Sequence, residues 1–517
     1  MDLLKFSELL VQNWVAVLLV ILTSAFYYRY TSTFNFFKKK GVKFMEPTIL
    51  IGNSGSTIMN KRSFHDFQID VYNHFKHIGY GGVFLGRQPI LYITDPEIVK
   101  AVTIRDFDHF VDRLSLESNE PRYLQRMLLN LKGGDWKAVR SSVTPAFSSS
   151  RLRYLLNLID ECGQQMVQYL RQFDNTEIEM KDVMGRFTLE VIGACAFGIK
   201  SDSLCEQNAK FLQVFSFQVA ENYDHMPFLK KLRVLFVLLF VPEFSKQFNI
   251  SFLDEHNIAA LIEMLQEAKS QRRSNTSNNK HGDFLQLILD AAEKELAEKG
   301  TQTCLDDDTI DGQSILFLLA GFETSSSLLS CSVLVLAYME EVQDKLRAHI
   351  FEVTRDKEMT YDVLSQLDYL EGFLLETLRR YPPIARIDRV CVKPYVLPGT
   401  QVKINVGDVI AVPVTGIQMD AKYFEEPEDI KPDRFMRDGK VIKPSHTFLA
   451  FGSGPRNCIG MRFAMFSAKC AMVHLLKNFK FSVCSRTAYP IEYETNSVFL
   501  KAKAGLWVKI EKLQPNV

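Results

Sequence analysis

Residues 451–460 read FGSGPRNCIG: one cysteine, Cys458, among three glycines and one arginine. An apolar run, MRFAMFSAKCAMVHLL, follows at once. A thiolate just before a helix start is favoured by the free amide ends of that helix. Gly452, Gly454 and Gly460 let the backbone approach the sulfur and donate to it. Arg456 supplies a cation for an acidic group on a cofactor. Thiolate, glycine loop and arginine together suit an axial ligand to haem iron. A lone cysteine is more often a small buried apolar residue; the flanking pattern argues against that here. A second stretch, Ala320-Gly321-Phe322-Glu323-Thr324, sets an acid beside an alcohol inside an apolar run. Such a pair can hold water and relay protons. Taken alone it reads rather as a threonine bonded within its own helix beside a glutamate on a surface stripe, with Gly321 a tolerated helix glycine.

These residues need elements to position them. The pattern predicts a long apolar helix over 310–343, with the acidic run DDDTID at its start. A second helical region, 360–381, ends at Pro382-Pro383. A further helix, 461–478, starts just after the cysteine. Residues 407–413 and 505–510 read as strands. The polar, basic stretch 269–283 reads as an exposed loop. The run 233–242, RVLFVLLFVP, is too short to span a bilayer. It reads as a core helix or as a surface element dipping into lipid.

Composition bounds the function. The chain has 517 residues, 47% of them hydrophobic, enough for a large core. Basic and acidic residues number 61 each, and this balance argues against nucleic-acid binding. Its 39 phenylalanines suit an apolar core or an apolar cavity. Nine cysteines are scattered singly without a CxxC pair. That excludes a disulfide framework or a zinc module and fits a reducing compartment.

Between Glu8 and Arg29 lie 20 uncharged residues, LLVQNWVAVLLVILTSAFYY, the length of a spanning helix. Arg29, Lys38, Lys39, Lys40 and Lys43 follow it, against one lysine and two acids before it. The positive-inside rule then leaves the rest of the chain in the cytosol. No short apolar core ends in a small-residue cleavage site, so an uncleaved anchor is expected rather than a signal peptide. The expected organisation is an anchor over 1–29, a basic neck over 30–47 and a catalytic domain over 48–517.

With its flanks, FGSGPRNCIG resembles the cysteine signature of the cytochromes P-450, the haem-thiolate monooxygenases. Four further motifs stand in that family's order: Trp136-Lys137-Ala138-Val139-Arg140, Ala320–Thr324, Glu376-Thr377-Leu378-Arg379 and Pro432-Asp433-Arg434-Phe435. Each is weak alone; five in order behind an apolar N-terminus are specific. The resemblance runs from the neck to the C-terminus. AGFETSS, RFTLEVIGACAFGIKSDSL and PRNCIGMRFA look most like insect microsomal members of the drug-metabolising branch. The neck departs from the family in having only Pro47, and Asp433 stands where glutamate is common.

The resemblance implies a mostly α fold with a small β-rich subdomain, preceded by one transmembrane helix. It implies haem b ligated by Cys458 and clamped at its propionates by Trp136, Arg140, Arg389 and Arg456. Gly321 would let the long helix open beside the iron, and Glu323 with Thr324 would deliver protons. Glu376, Arg379 and Arg434 would form a buried structural network. It further implies insertion of one oxygen atom of dioxygen into a lipophilic substrate at the endoplasmic reticulum membrane, xenobiotics and insecticides included. Electrons would come from NADPH through a separate NADPH–cytochrome reductase, with cytochrome b5 as a second donor, because the chain has no nucleotide-binding fingerprint of its own. Cations near the motifs, Arg126, Lys132, Lys137, Lys440, Lys443 and Arg462, would steer that reductase. Two alternatives remain: a haem-thiolate isomerase or dehydratase, and a haem sensor or carrier. Substrate contacts are expected in 107–116, 216–228, 384–386 and 497–500.

Overall fold

The computed structural model describes residues 14–115, 120–199, 204, 255–274, 282–300, 303–355, 357–442 and 444–514. The segments 216–228 and 233–242, together with Lys443, lie outside the described residues. Helix α1 (Trp14–Thr31) is apolar and exposed along most of its length, and is long and apolar enough to cross a membrane. Such a helix needs an apolar surrounding. The neck that follows is docked. A short helix, Phe36–Lys39, buries Phe37 edge-on against Phe84, with ring centroids 5.2 Å apart. Lys40 donates to Lys403 O at 2.9 Å and pairs with Asp408.

Further along come α2 (Phe64–Phe75), the strands β1 (Tyr80–Leu85) and β2 (Gln88–Ile93), then α3 (Gly133–Val143), α4 (Ser149–Leu170), β3 (Thr176–Glu179) and α5 (Met180–Ile192). After them stand α6 (Glu255–Ser274), α7 (Phe284–Lys299), α8 (Asp307–Tyr338), α9 (Glu340–Thr354) and α10 (Asp368–Arg380). The chain closes with β4 (Arg386–Val390), β5 (Val409–Pro413), α11 (Met461–Asn478), β6 (Phe479–Ser482) and β7 (Trp507–Lys512). Among the described residues the architecture is mostly helical, with a four-stranded sheet in the order β1-β2-β5-β4, a three-stranded sheet in the order β6-β7-β3 and two short two-stranded pairs. β1 and β2 join through a two-residue turn in which Gly86 has φ +58°, as a tight hairpin requires. β2 and β5 are parallel, and β4 runs antiparallel to β5 with Arg389 opposite Ile410.

α8 is the central helix. It is as apolar as a membrane span, yet 67% of its apolar window is buried inside the protein. It packs most closely along α5 and also touches α10 and α11. The Asp306 carboxylate caps its start, accepting from Thr309 N at 2.9 Å. The helix ends at Tyr338, five residues short of the expected 343. Gln343, from α9, donates to Leu336 O at 3.0 Å and to Phe481 O at 2.9 Å, so a side chain from the next helix ends this one.

The expected helix 360–381 is likewise two pieces, Tyr361–Ser365 and α10, whereas α11 spans 461–478 as expected. The expected strands begin at Val409 and Trp507, after the positive-φ turns of Gly407 and Gly505. The stretch 269–283 is not simply a loop. Its first six residues finish α6, where Lys269 is buried and donates to Asp311 of α8. Asp283 caps α7, accepting from Gln286 N at 3.0 Å.

Candidate functional site

The loop before α11 is built to expose one sulfur. Cys458 N donates to Phe451 O at 2.8 Å, Asn457 N to Gly454 O at 3.0 Å and Gly452 N to Leu449 O at 2.8 Å. Gly454 has φ +72°, and a Cβ there would stand 1.7 Å from Thr103 O, so the loop rests directly on another backbone segment. Gly460 is the N-cap of α11, and its amide lies near enough to the Cys458 sulfur to favour the thiolate. Cys458 is accessible, but to an internal cavity. The surrounding protein therefore raises its thiol pKa by burial, while the Gly460 amide, Arg140 and Arg113 act to lower it.

That cavity has a volume of about 590 Å³. It is lined by Cys458, Phe463 and Ala464 from the loop and α11, and by Leu316, Phe317, Ala320, Gly321 and Thr324 from α8. Phe147, Leu261, Phe284, Val414 and Phe499 add apolar surface. Of the expected substrate contacts, Arg113, Ile384, Arg386, Ser497 and Phe499 do line it. The contributions of Phe284 and Leu261 depend on how α6 and α7 fold over α8, which local sequence does not encode.

Cations gather at one part of the cavity wall. Arg389, fully buried, donates Nη1 to Asp388 O at 2.6 Å, but its Nε and Nη2 have no partner. Arg113 donates Nη2 to Arg456 O at 3.1 Å, and its Nε has no partner. Arg140 donates to Asn457 Oδ1 at 3.1 Å. Burial, then the neighbouring Arg113, lowers the pKa of Arg389 and Arg456 to about 9 each. Asp388 acts on Arg113, Arg389 and Arg456, Asp112 on Arg456, and the Cys458 sulfur is the one anionic group that acts on Arg140. The arginines thus outnumber the acids that face them, and the carboxylates of haem would complement that excess. Buried donors without partners are costly, and paired guanidinium–carboxylate contacts are the natural way to satisfy them. The residues present therefore fit haem.

Two expected members of this clamp act differently from the rest. Arg456 spends three N–H groups on the carbonyls of Val111 (2.8 Å), Leu128 (3.2 Å) and Leu131 (2.6 Å). Trp136 stacks on that guanidinium, 4.3 Å from centroid to Cζ. The pair braces the wall against α3. Arg113 is the member of this arginine group that sequence reasoning placed only among the substrate contacts: a single arginine in an irregular segment carries no spacing signal.

On α8 the helix stays continuous through Gly321. The expected opening is absent; the glycine instead admits Ile192 of α5, whose Cδ1 would lie 2.7 Å from a Cβ there. Thr324 lines the cavity with its hydroxyl donating to Ala320 O at 2.6 Å. Glu323 is buried rather than set on a surface stripe. Its Oε1 accepts from Lys181 of α5 at 2.8 Å, and Lys181 also reaches Ser326 and Ser327, each at 2.8 Å. The second oxygen, Oε2, is buried without a partner. Lys181 was not legible as a site residue, because α5 meets α8 only in the folded chain.

Glu376, Arg379 and Arg434 form a closed network away from the cavity. Arg379 donates Nε and Nη2 to the two oxygens of Glu376 at 2.8 and 2.9 Å, and Nη1 to Gln418 O at 2.9 Å. Arg434 and Lys431 N also reach Glu376 Oε1, at 3.2 and 3.0 Å.

A cytochrome P450 family model matches residues 43–509, so the chain belongs to the cytochrome P450 family. It is a haem-thiolate monooxygenase in the family's general sense. Among curated relatives, it is 33% identical to cytochrome P450 9e2 of Blattella germanica, over 92% of this chain and 94% of that one. It is 30% identical to probable cytochrome P450 9f2 of Drosophila melanogaster, over 96% and 99% of the two chains. It is also 30% identical to cytochrome P450 6a2 of the same fly, again over 96% and 99%.

Proposed function

We propose that this chain inserts one oxygen atom of dioxygen into apolar organic substrates, xenobiotic or endogenous, with electrons from NADPH delivered by a separate reductase and, as a second donor, cytochrome b5. The carrying observation is the Cys458 sulfur opening into an apolar cavity that also holds Thr324 and, on Arg113 and Arg389, guanidinium nitrogens without partners. Haem iron with a thiolate ligand supplies dioxygen activation when bound. Cys458 is the thiolate that holds the iron, and the Gly460 amide stabilises its charge. Arg113, Arg140 and Arg389 hold the propionates, with Arg456 braced behind them by Trp136. Gly321 keeps α8 close to α5. Thr324 presents a hydroxyl to the cavity, where it orients water. Glu323, fixed by Lys181, keeps one oxygen available to accept and return a proton. The phenylalanine-rich lining excludes bulk water and favours lipophilic substrates.

Residues 1–29 act as the anchor in the endoplasmic reticulum membrane, 30–47 as the neck and 48–517 as the catalytic domain on the cytosolic side. For reductase docking, Lys132, Lys137 and Arg462 are exposed and form no ion pair among the described residues. Arg126, by contrast, is tied to Asp135 and Thr309, and Lys440 pairs with Asp368.

The test is spectroscopic. The ferrous protein with carbon monoxide should show the red-shifted Soret band of a thiolate-ligated haem, and Cys458→Ser should lose it. A serine variant that keeps the band removes Cys458 as the ligand.

A further inference from the structure

α4 and α11 approach closely where Gly163 faces His474. A Cβ at residue 163 would lie 2.2 Å from Cδ2 of that imidazole, so the glycine is what admits the ring. His474 Nε2 stands 2.8 Å from Asp160 Oδ1. Cys470 lies one helical turn before His474, on the same face of α11, and is fully buried. The sulfur, the imidazole nitrogen and the carboxylate oxygen all lie within 4.8 Å of one another. None of the three residues lines the cavity at Cys458. We infer that Asp160, Cys470 and His474 form a binding site for a borderline-soft divalent cation, Zn²⁺ by its donor set, that clips α11 to α4.

The donor types select the ion. One sulfur, one imidazole nitrogen and one carboxylate oxygen are ligands that zinc accepts together, with water in a fourth position. Calcium and magnesium, which take oxygen ligands, are disfavoured by the thiolate. The fourth position opens outward, because Asp160 and His474 are only partly buried while Cys470 closes the inner side. The site also has outer support. Gln164 donates to the second carboxylate oxygen, Asp160 Oδ2, at 2.9 Å, the kind of contact that fixes a ligating carboxylate. Binding exchanges protons and no electrons: Cys470 releases its thiol proton to solvent, and the ion replaces the hydrogen bond between His474 and Asp160. His474 then binds through Nε2 as the neutral imidazole, with its proton on Nδ1. Lys477, which faces Asp160, meets no net repulsion, because thiolate and carboxylate together neutralise a divalent ion. An ordinary His–Asp pair would join the two helices as well, but it would need no thiol within ligand range.

The experiment uses haem-loaded protein freed of other metals by a chelator and titrated with Zn²⁺ alone. One zinc per haem is expected at micromolar free ion or below. Its K-edge absorption should require one sulfur at about 2.3 Å and nitrogen or oxygen neighbours at about 2.0–2.2 Å. Cys470→Ala should lose the sulfur distance. His474→Gln and Asp160→Asn should each weaken binding by more than the roughly 100-fold that loss of a supporting group costs. The carbon monoxide spectrum certifies that each variant carries its haem; where the alanine variant fails to fold, Cys470→Ser removes the same sulfur signal at nearly constant volume. Absence of stoichiometric zinc, a zinc spectrum without sulfur, or a sulfur distance that survives in the Cys470 variants overturns the inference.

Discussion

Arg379 and Arg389 stand ten residues apart and are both fully buried, yet their surroundings are opposite. Each nitrogen of Arg379 donates to a carboxylate or carbonyl oxygen. Two of the three nitrogens of Arg389 have no partner. The first cluster is closed: Glu376, Arg379 and Arg434 satisfy one another and join α10 to the segment before the Cys458 loop. The second, Arg113, Arg140 and Arg389, is open toward a cavity. Burying charge costs several kcal/mol per ion, so donors left unmade at a cavity wall mark a place where an anionic group would be favoured. Burial and charge alone do not separate structure from function here; the tally of partners does.

The largest effect should come from opening the closed cluster. Arg379→Leu strands the Glu376 carboxylate and should cost about 3–5 kcal/mol, read as a lowered denaturation midpoint and a collapsed yield of haem protein. An unchanged midpoint would break the contrast.

Next is a buried base that avoids the problem by shedding its charge. Burial lowers the pKa of His65 to about 4, and its Nε2 lies 3.1 Å from Pro382 O. The unfolded chain takes up this proton below about pH 6.5 while the folded chain does not. Stability from this group is therefore complete above that pH and falls as pH drops toward 4, by about 3 kcal/mol in all. His65→Gln should flatten that part of the acid limb in denaturant titrations; an unaltered slope would assign it to other groups.

A smaller effect is expected from filling the open cluster with an apolar residue. Arg389→Met should leave the apoprotein at least as stable, since it removes an unpaired charge, while haem transfers to apomyoglobin about tenfold faster, a loss comparable to one charged hydrogen bond. A less stable apoprotein with unaltered haem transfer would place Arg389 with Arg379 instead. The smallest effect concerns exposed cations. Lys132→Glu with Lys137→Glu should slow reductase-driven turnover a few-fold at low salt and little at high salt, leaving oxidant-driven turnover unchanged. Equal losses in both modes would make these lysines part of the fold.

Much of the molecule is legible in its sequence where the determinants are local. The Cys458 loop, α11 from 461 to 478 and the acidic cap of α8 rest on glycines, caps and periodicity within a few residues. The end of α8 is not legible, because Gln343 closes it from the next helix. Lys269 reads as part of a polar loop, since its buried partner Asp311 lies 42 residues on. Arg113 and Lys181 are invisible for the same reason: their roles come from elements that meet only on folding. Gly321 shows the converse. Its position in the motif is readable, but its physical use, room for Ile192, belongs to α5.

The docked neck has a mechanical consequence. Sixteen residues of free linker, 32–47, would let the body wander about 20–25 Å from the end of α1. Tyr30 and Phe37 are instead buried, and Lys40 is pinned to Lys403 and Asp408. With α1 in a bilayer, the body would tilt and turn with its anchor, as a rudder follows its post. The face it shows to lipid, and the side from which lipophilic molecules approach, would be set by these few residues rather than by diffusion on a leash.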